Sequence, residues 1–272
     1  MLNYLEFNSS LKNNLKYLIP DGVREKIHPR RFQCFSIGAP KSGTTSIAGM
    51  FNKNFRASHE PERRSIIYSI QEHYNKNISD DDFIHKLRKR DKRVWLEIES
   101  NCFLGYRIDL LYRAFPGAKF IMSVRSPRSW LDSMMNHTIN YPPSSEDVIK
   151  IWHSIFFRHS EFEYTKFDHL LKDYNVYPIE SYLRFWAKSI EDTLNTIPRE
   201  QLLIVDTLNF DDSINNVVKF LDIQRSDLDF CSSHLNKAPE KYHLLEKIDD
   251  CYLREVIDNI CTPIQYKLNS IN

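Results

Sequence analysis

The residues with the most chemical content lie in Phe35-Ser-Ile-Gly-Ala-Pro-Lys-Ser-Gly-Thr-Thr-Ser46. A short apolar run, Cys34 to Ile37, leads into a turn carrying Gly38, Pro40 and Gly43, and a helix-compatible run follows from Thr44 to Phe55. Strand, turn and helix start, in that order, bring unpaired backbone N–H groups and the positive end of a helix dipole to one point. That arrangement favours a phosphate. Gly38 and Gly43 have the spacing of the G-x-x-x-x-G-K-[ST] nucleotide loop, but Thr44 stands where its lysine belongs, and Lys41 lies inside the turn. The displaced lysine argues against an ordinary NTPase. The competing reading is a strand–turn–helix junction that holds no ligand.

A second group follows Lys119-Phe-Ile-Met-Ser-Val124, a run apolar enough to be a strand buried on both faces. Arg125 stands just past its carboxyl end, the edge of an α/β sheet where ligands bind. Arginine offers a planar fork of donors suited to phosphate. Ser133 follows eight residues later, on a helix that Pro127 can open, and returns toward Arg125 only if the turn folds over. Without a ligand, Arg125 and Arg128 read as surface charges and Ser133 as a small helix residue.

The elements that must position these groups alternate. Strands are expected at about 33–37, 55–58, 94–98, 119–124 and 202–205. Helices are expected at about 44–54, from Ser79 through the basic run ending at Arg90, at 108–115, and from 127 to about 137. Further helices are expected over 146–171, 179–196, 213–221 and 244–257. The alternation predicts an α/β fold: a three-layer, P-loop-like domain whose central parallel sheet of about five strands carries helices on both faces. Residues 1–30 read as an extension with a weak apolar stripe (Leu11, Leu15, Leu18, Ile19), which either packs on the domain or makes peripheral membrane contact. Residues 31–272 read as one domain.

Composition sets bounds. The chain has 272 residues, 42% of them hydrophobic, and 37 basic against 36 acidic residues, a net charge of +1. There is no global basic excess of the kind that nucleic-acid binders show. Five scattered cysteines without a C-x-x-C pair argue against a disulfide framework or a zinc site. The N-terminus has no basic segment followed by an apolar one, and no run approaches the roughly 18 apolar residues that cross a bilayer. The expectation is a cytoplasmic protein with no metal.

Pro40-Lys-Ser-Gly-Thr-Thr45 resembles the 5′-phosphosulfate loop of sulfotransferases that use 3′-phosphoadenylyl sulfate (PAPS), and Arg125 with Ser133 resembles the pair that holds the 3′-phosphate in that family. The likeness spans about residues 31–241. It implies sulfuryl transfer from PAPS to an acceptor hydroxyl, with 3′,5′-adenosine bisphosphate (PAP) released. It assigns Pro40, Lys41, Ser42, Gly43, Thr44, Thr45, Arg125 and Ser133 to the cofactor, with Lys237 in a segment like one whose lysine approaches it. Lys41 is then the cation near the bridging oxygen. An acceptor hydroxyl also needs a base. Glu60 is the first candidate and His59 the second, because carbohydrate-type members carry a glutamate at a similar distance after the loop. That points to a saccharide or glycolipid acceptor. Both residues also fit a reading in which they only stabilise their loop. Many cytosolic members stack an aromatic residue on adenine directly after the two threonines; here Ser46 stands there, which leaves Trp130 as an aromatic candidate. Trp152, Phe156, Phe157, Phe162, Tyr164 and Phe167 form either an acceptor wall or core. A nucleotide kinase and a non-catalytic protein of the same fold are the rival readings.

Overall fold

The computed structural model describes residues 21–143, 148–207, 210–230 and 240–270. Five strands form one sheet: β1 (Cys34–Ser36), β2 (Ala57–His59), β3 (Ile98–Ser100), β4 (Lys119–Val124) and β5 (Leu202–Asp206). All neighbours run parallel, in the order β2-β3-β1-β4-β5. The helices are α1 (Asp21–Ile27), α2 (Thr44–Phe51), α3 (Arg63–Tyr74), α4 (Asp80–Val94), α5 (Ile108–Ala114), α6 (Pro127–Asn140), α7 (Val148–Phe157), α8 (Ile179–Thr196), α9 (Phe210–Leu221), α10 (Asp250–Ile260) and α11 (Thr262–Asn269).

Side chains alternate across a strand, so the sheet has two apolar faces to cover. Cys34, Ile98, Ile121 and Val205 pack with Ile47, Met50 and Phe51 of α2 and Ile214, Val217 and Leu221 of α9. Phe35, Phe120 and Met122 face the other way, into a larger core built by α3 to α8 and the C-terminal helices. This is the expected three-layer arrangement. The chain leaves β1 toward β2 on one side and β4 toward β5 on the other, which opens a crevice at the carboxyl ends of β1 and β4. Both phosphate candidates, the loop after β1 and Arg125 after β4, therefore sit at the point where connections diverge.

Local chemistry explains most boundaries. Ser79 and Asp82 form a reciprocal capping box that opens α4, with acidic residues in its first turn and Lys92 and Arg93 in its last. Pro127 occupies the first turn of α6. Four expectations change. The third strand begins at Ile98, because α4 continues to Val94 and Trp95 ends it in a left-handed cap. The helix over 146–171 is α7 alone, stopped where Arg158 turns left-handed and followed by short 3-10 turns. The C-terminal helix divides into a 3-10 turn, Leu244–Lys247, and α10. Helices α1, α3 and α11 are not among the elements that the sequence pattern predicts. At the end of the expected extension, Arg30 pairs with Asp91 at 2.8 Å, and the Trp95 indole donates to the His28 carbonyl at 3.1 Å. Residues 28–30 are thus packed onto the domain.

Candidate functional site

The loop after β1 is held tightly. At Gly38 an added Cβ would lie 1.9 Å from Ser123 Oγ and 2.6 Å from the Ser123 carbonyl, so β4 leaves room only for glycine. Ser42 closes the turn. Its N–H and its hydroxyl both donate to the Ala39 carbonyl, at 3.1 and 2.5 Å, and its oxygen lies 2.9 Å from Ser123 Oγ. Ser42 is buried, so its side chain shapes the loop. Gly43 takes φ 90° at the start of α2, where a Cβ would meet Thr207 Cγ2 at 2.8 Å. No side chain caps α2, and no acidic residue stands in its first turn. The positive end of this helix thus faces the crevice without a carboxylate from its own first turn.

Thr44 and Thr45 follow at once. His59 Nε2 lies 3.2 Å from both hydroxyls. Burial lowers the His59 pKa, Glu60 opposes that effect and Arg63 adds to it, so the ring is neutral near pH 7. His59 therefore orients the two threonines. Glu60 sits beside it, Oε1 3.7 Å from His59 Nε2, in a left-handed backbone conformation. Its carboxylate accepts the Cys102 thiol at 3.2 Å, and burial with this neighbour holds that thiol well above its usual range.

Two cations converge on the crevice. Lys41 projects from the loop at φ 64°, and its pKa is lowered by burial and then by the charge of Arg125. Burial also lowers the Arg125 pKa, against the pull of Asp132. Arg125 Nε donates to Ser129 Oγ at 2.7 Å, which fixes the plane of the fork. Ser133 lies one turn beyond Ser129 on the same stripe of α6. Arg128 instead pairs with Asp250 at 2.8 Å. Two half-buried cations beside a helix start that no side chain caps are an arrangement that can receive an anion with more than one charge.

Two indoles brace this site. Trp130 Nε1 donates to the Pro40 carbonyl at 2.7 Å, and Trp186 Nε1 to the Arg125 carbonyl at 3.1 Å. Trp130 is 0% exposed, with its ring against Tyr182 and Phe185, so it is core and not a platform for adenine. Glu97 and Glu99 are also structural. Glu99 takes both arms of Arg90 at 2.7 Å, and Glu97 accepts the N–H groups of Arg31 and Arg56. Trp152 and Phe157 are buried, whereas Phe167 is partly exposed and stacks on Tyr252. Lys237 lies outside the described residues. Among the described residues, no group of three His, Cys, Asp or Glu side chains could hold a metal ion, and no helix is long and apolar enough to cross a membrane. Ser129, which the sequence offers with Ser126 as a candidate phosphate contact, is here the hydrogen-bond partner of the Arg125 guanidinium.

A family model described as a sulfotransferase domain matches residues 33–238. A comparison with curated proteins finds no match. Among solved structures, the chain is similar to a sulfotransferase from Alicyclobacillus acidocaldarius, at 15% identity and a TM-score of 0.48, covering 88% of this chain and 95% of that one. It is also similar to the sulfotransferase domain of the Synechococcus PCC 7002 olefin synthase, at 15% identity and a TM-score of 0.34, covering 83% and 86%.

Proposed function

Since the chain belongs to the sulfotransferase domain family, we propose that it transfers a sulfuryl group from PAPS to an acceptor hydroxyl and releases PAP. The observation that carries this reading is the pairing of Lys41 with Arg125 across the crevice, where each is destabilised as a cation by burial and Lys41 also by the charge of Arg125. A ligand with separate anionic groups relieves both. Backbone N–H groups at the start of α2, with the Thr44 and Thr45 hydroxyls, would hold the 5′-phosphate. Arg125 and Ser133, with Ser129 steering the fork, would hold the 3′-phosphate. PAPS supplies the activated sulfuryl group. Lys41 would neutralise charge growing on the departing phosphate oxygen. Pro40, Ser42 and Gly43 shape the loop, and Lys237 is a further candidate contact. The acceptor class we favour is a saccharide or glycolipid, on the likeness of Glu60 to the carboxylate of carbohydrate-type members.

The test is thermal unfolding with PAP, and separately with ATP and magnesium. At a concentration about 100 times Kd, PAP should add about 2.7 kcal/mol. That corresponds to an increase of roughly 5–10 °C in Tm for a domain of this size. Lys41→Ala and Arg125→Ala should each shrink the shift. A shift with ATP and none with PAP would sink the reading.

A further inference from the structure

We propose that Cys102 is a positioning residue for Glu60: its thiol holds one carboxylate oxygen in place so that the other takes the proton from the acceptor hydroxyl. The inference rests on the sulfotransfer reading above.

The strand pairings place these groups. His59, the last residue of β2, pairs with Ser100, the last of β3, and Ser100 pairs with Ser36, the last of β1. Glu60, Cys102 and the loop carrying Lys41 therefore leave the sheet at one level, on its carboxyl edge. β4 lies on the other side of β1, and Arg125 follows it. Along that edge the loop stands between Arg125 and Glu60, with β2 two strands, roughly 10 Å, from β1. A 3′-phosphate on Arg125 occupies one side of the loop and leaves the other side for the acceptor. Short contacts join Glu60 to the phosphate end. Its Oε1 lies 3.7 Å from His59 Nε2, and that nitrogen lies 3.2 Å from the hydroxyls of both Thr44 and Thr45.

Both sides of the thiol–carboxylate contact are anchored. The Glu60 N–H donates to the Ser100 carbonyl at 2.9 Å, and Arg90, already forked on Glu99, also donates to the Pro61 carbonyl. On the other side, the Asn101 N–H donates to the Ser36 carbonyl at 2.9 Å and its side-chain amide to Glu99 Oε1 at 2.8 Å. Asn101 Oδ1 accepts the Phe103 N–H at 3.0 Å, which opens the 3-10 turn Cys102–Arg107. Between these two fixed backbones, Cys102 Sγ donates to Glu60 Oε1 at 3.2 Å. Glu60 itself is held at φ 48°. Strain of this kind in a non-glycine residue persists where the surroundings over-determine it, and it collects at functional sites.

The choice of donor separates Glu60 from its neighbours. Glu99 takes the Arg90 fork, and Glu97 accepts two backbone N–H groups. Strong or charged donors stabilise a carboxylate as the anion, which suits a structural role. A thiol is a weak donor, which suits a carboxylate that must take up a proton. Burial, with Glu60 beside it, keeps the Cys102 thiol protonated and so always a donor. Glu60 Oε2 accepts no hydrogen bond among the described residues and is not an enclosed atom, and 17% of the side chain is open to solvent. One oxygen is thus fixed and the other is reachable.

The step balances. The acceptor oxygen forms a bond to sulfur. The bond from sulfur to the bridging oxygen breaks, and its electron pair leaves on the phosphate of PAP. The hydroxyl proton passes to Glu60 Oε2, and the thiol keeps its own proton.

The experiment measures PAP release from PAPS by the full chain, with methyl β-galactoside or water alone as the acceptor. Cys102→Ala should lower kcat about tenfold and leave the KM for PAPS and the PAP-induced rise in Tm unchanged. Cys102→Ser restores a donor and should return to within about threefold of wild type. Glu60→Gln should lose about 10²- to 10⁴-fold. Adding Cys102→Ala to it should cost nothing further, because a residue that acts through Glu60 then has nothing to position. Infrared spectroscopy reads the contact without turnover: the S–H stretch that disappears in Cys102→Ser should move toward that of a free thiol in Glu60→Ala. That measurement decides even if Cys102→Ala does not fold. An unmoved S–H band, or an equal loss from Cys102→Ala in both backgrounds, overturns the role of Cys102. PAP binding without PAP release above the buffer rate, or with full activity in Glu60→Gln, overturns Glu60 and Cys102 together and leaves the donor site standing. Absence of PAP binding overturns the sulfotransfer reading and this proposal with it.

Discussion

Gly43→Ala tests whether the shape of the loop, and not its charges alone, makes the anion site. The new Cβ would lie 2.8 Å from Thr207 Cγ2 and 3.4 Å from Thr207 Cβ, on a residue held at φ 90°. The left-handed backbone costs a non-glycine residue about 1–2 kcal/mol. Forcing a methyl group into a filled space adds about 1–3 kcal/mol. The single variant should therefore lose about 2–5 kcal/mol. Thr207→Ser separates the two contributions. It deletes Cγ2 and keeps the hydroxyl that donates to the Val124 carbonyl at 3.1 Å. The double variant should recover about 1–3 kcal/mol, the steric share, and keep the backbone cost. Urea unfolding of the four proteins in a double-mutant cycle measures both numbers. PAP binding should weaken in Gly43→Ala and recover in the double variant, where the loop regains its native path. Wild-type stability in Gly43→Ala, or no recovery from Thr207→Ser, would refute the reasoning.

Three other outcomes follow from the same geometry. Glu99→Ala should cost about 3–5 kcal/mol in urea unfolding, because it leaves the Arg90 guanidinium buried without its fork partner. Arg125→Lys should weaken PAP binding at least about tenfold by calorimetry, since an ammonium cannot reproduce the bidentate fork, whereas Arg128→Ala should change it little. Stability should fall on acidification. Burial holds the His153 pKa at about 3, far below its value of about 6.5 in an unfolded chain, so between those values the unfolded chain binds a proton that the native state refuses. The loss approaches about 1.4 kcal/mol per pH unit below about pH 6.5, and His153→Gln should flatten the slope in urea midpoints compared at about pH 5 and about pH 7.

The legible parts of this chain are those where local chemistry and the fold agree. Lys119–Val124 is apolar throughout and lies at the centre of the sheet, so pattern and burial coincide. Ile179–Thr196 is bracketed by prolines, and its bounds follow from them. Val94 to Ile98 misleads because its bulky residues suit a strand, yet Trp95 is a helix cap with its ring under the Arg30 guanidinium, 4.1 Å away. That contact comes from a distant segment, which a local pattern does not register. The site divides the same way. Lys41 and Arg125 are conspicuous because each follows an apolar strand. His59 is visible for the same reason, its place after a strand, whereas its two threonine partners belong to the loop after β1 and emerge only in the fold.

The two indole hydrogen bonds give the molecule a built-in optical readout. Two of its four tryptophans each touch one anion-facing segment, Trp130 through the Pro40 carbonyl and Trp186 through the Arg125 carbonyl. Indole emission responds to its electrostatic surroundings, so a ligand that perturbs either carbonyl is expected to shift the emission of the tryptophan attached to it. The loop after β1 and the strand end at Arg125 thus have separate reporters within one chain. Single Trp→Phe replacements would tell the two contributions apart, because four indoles emit together in the intact chain.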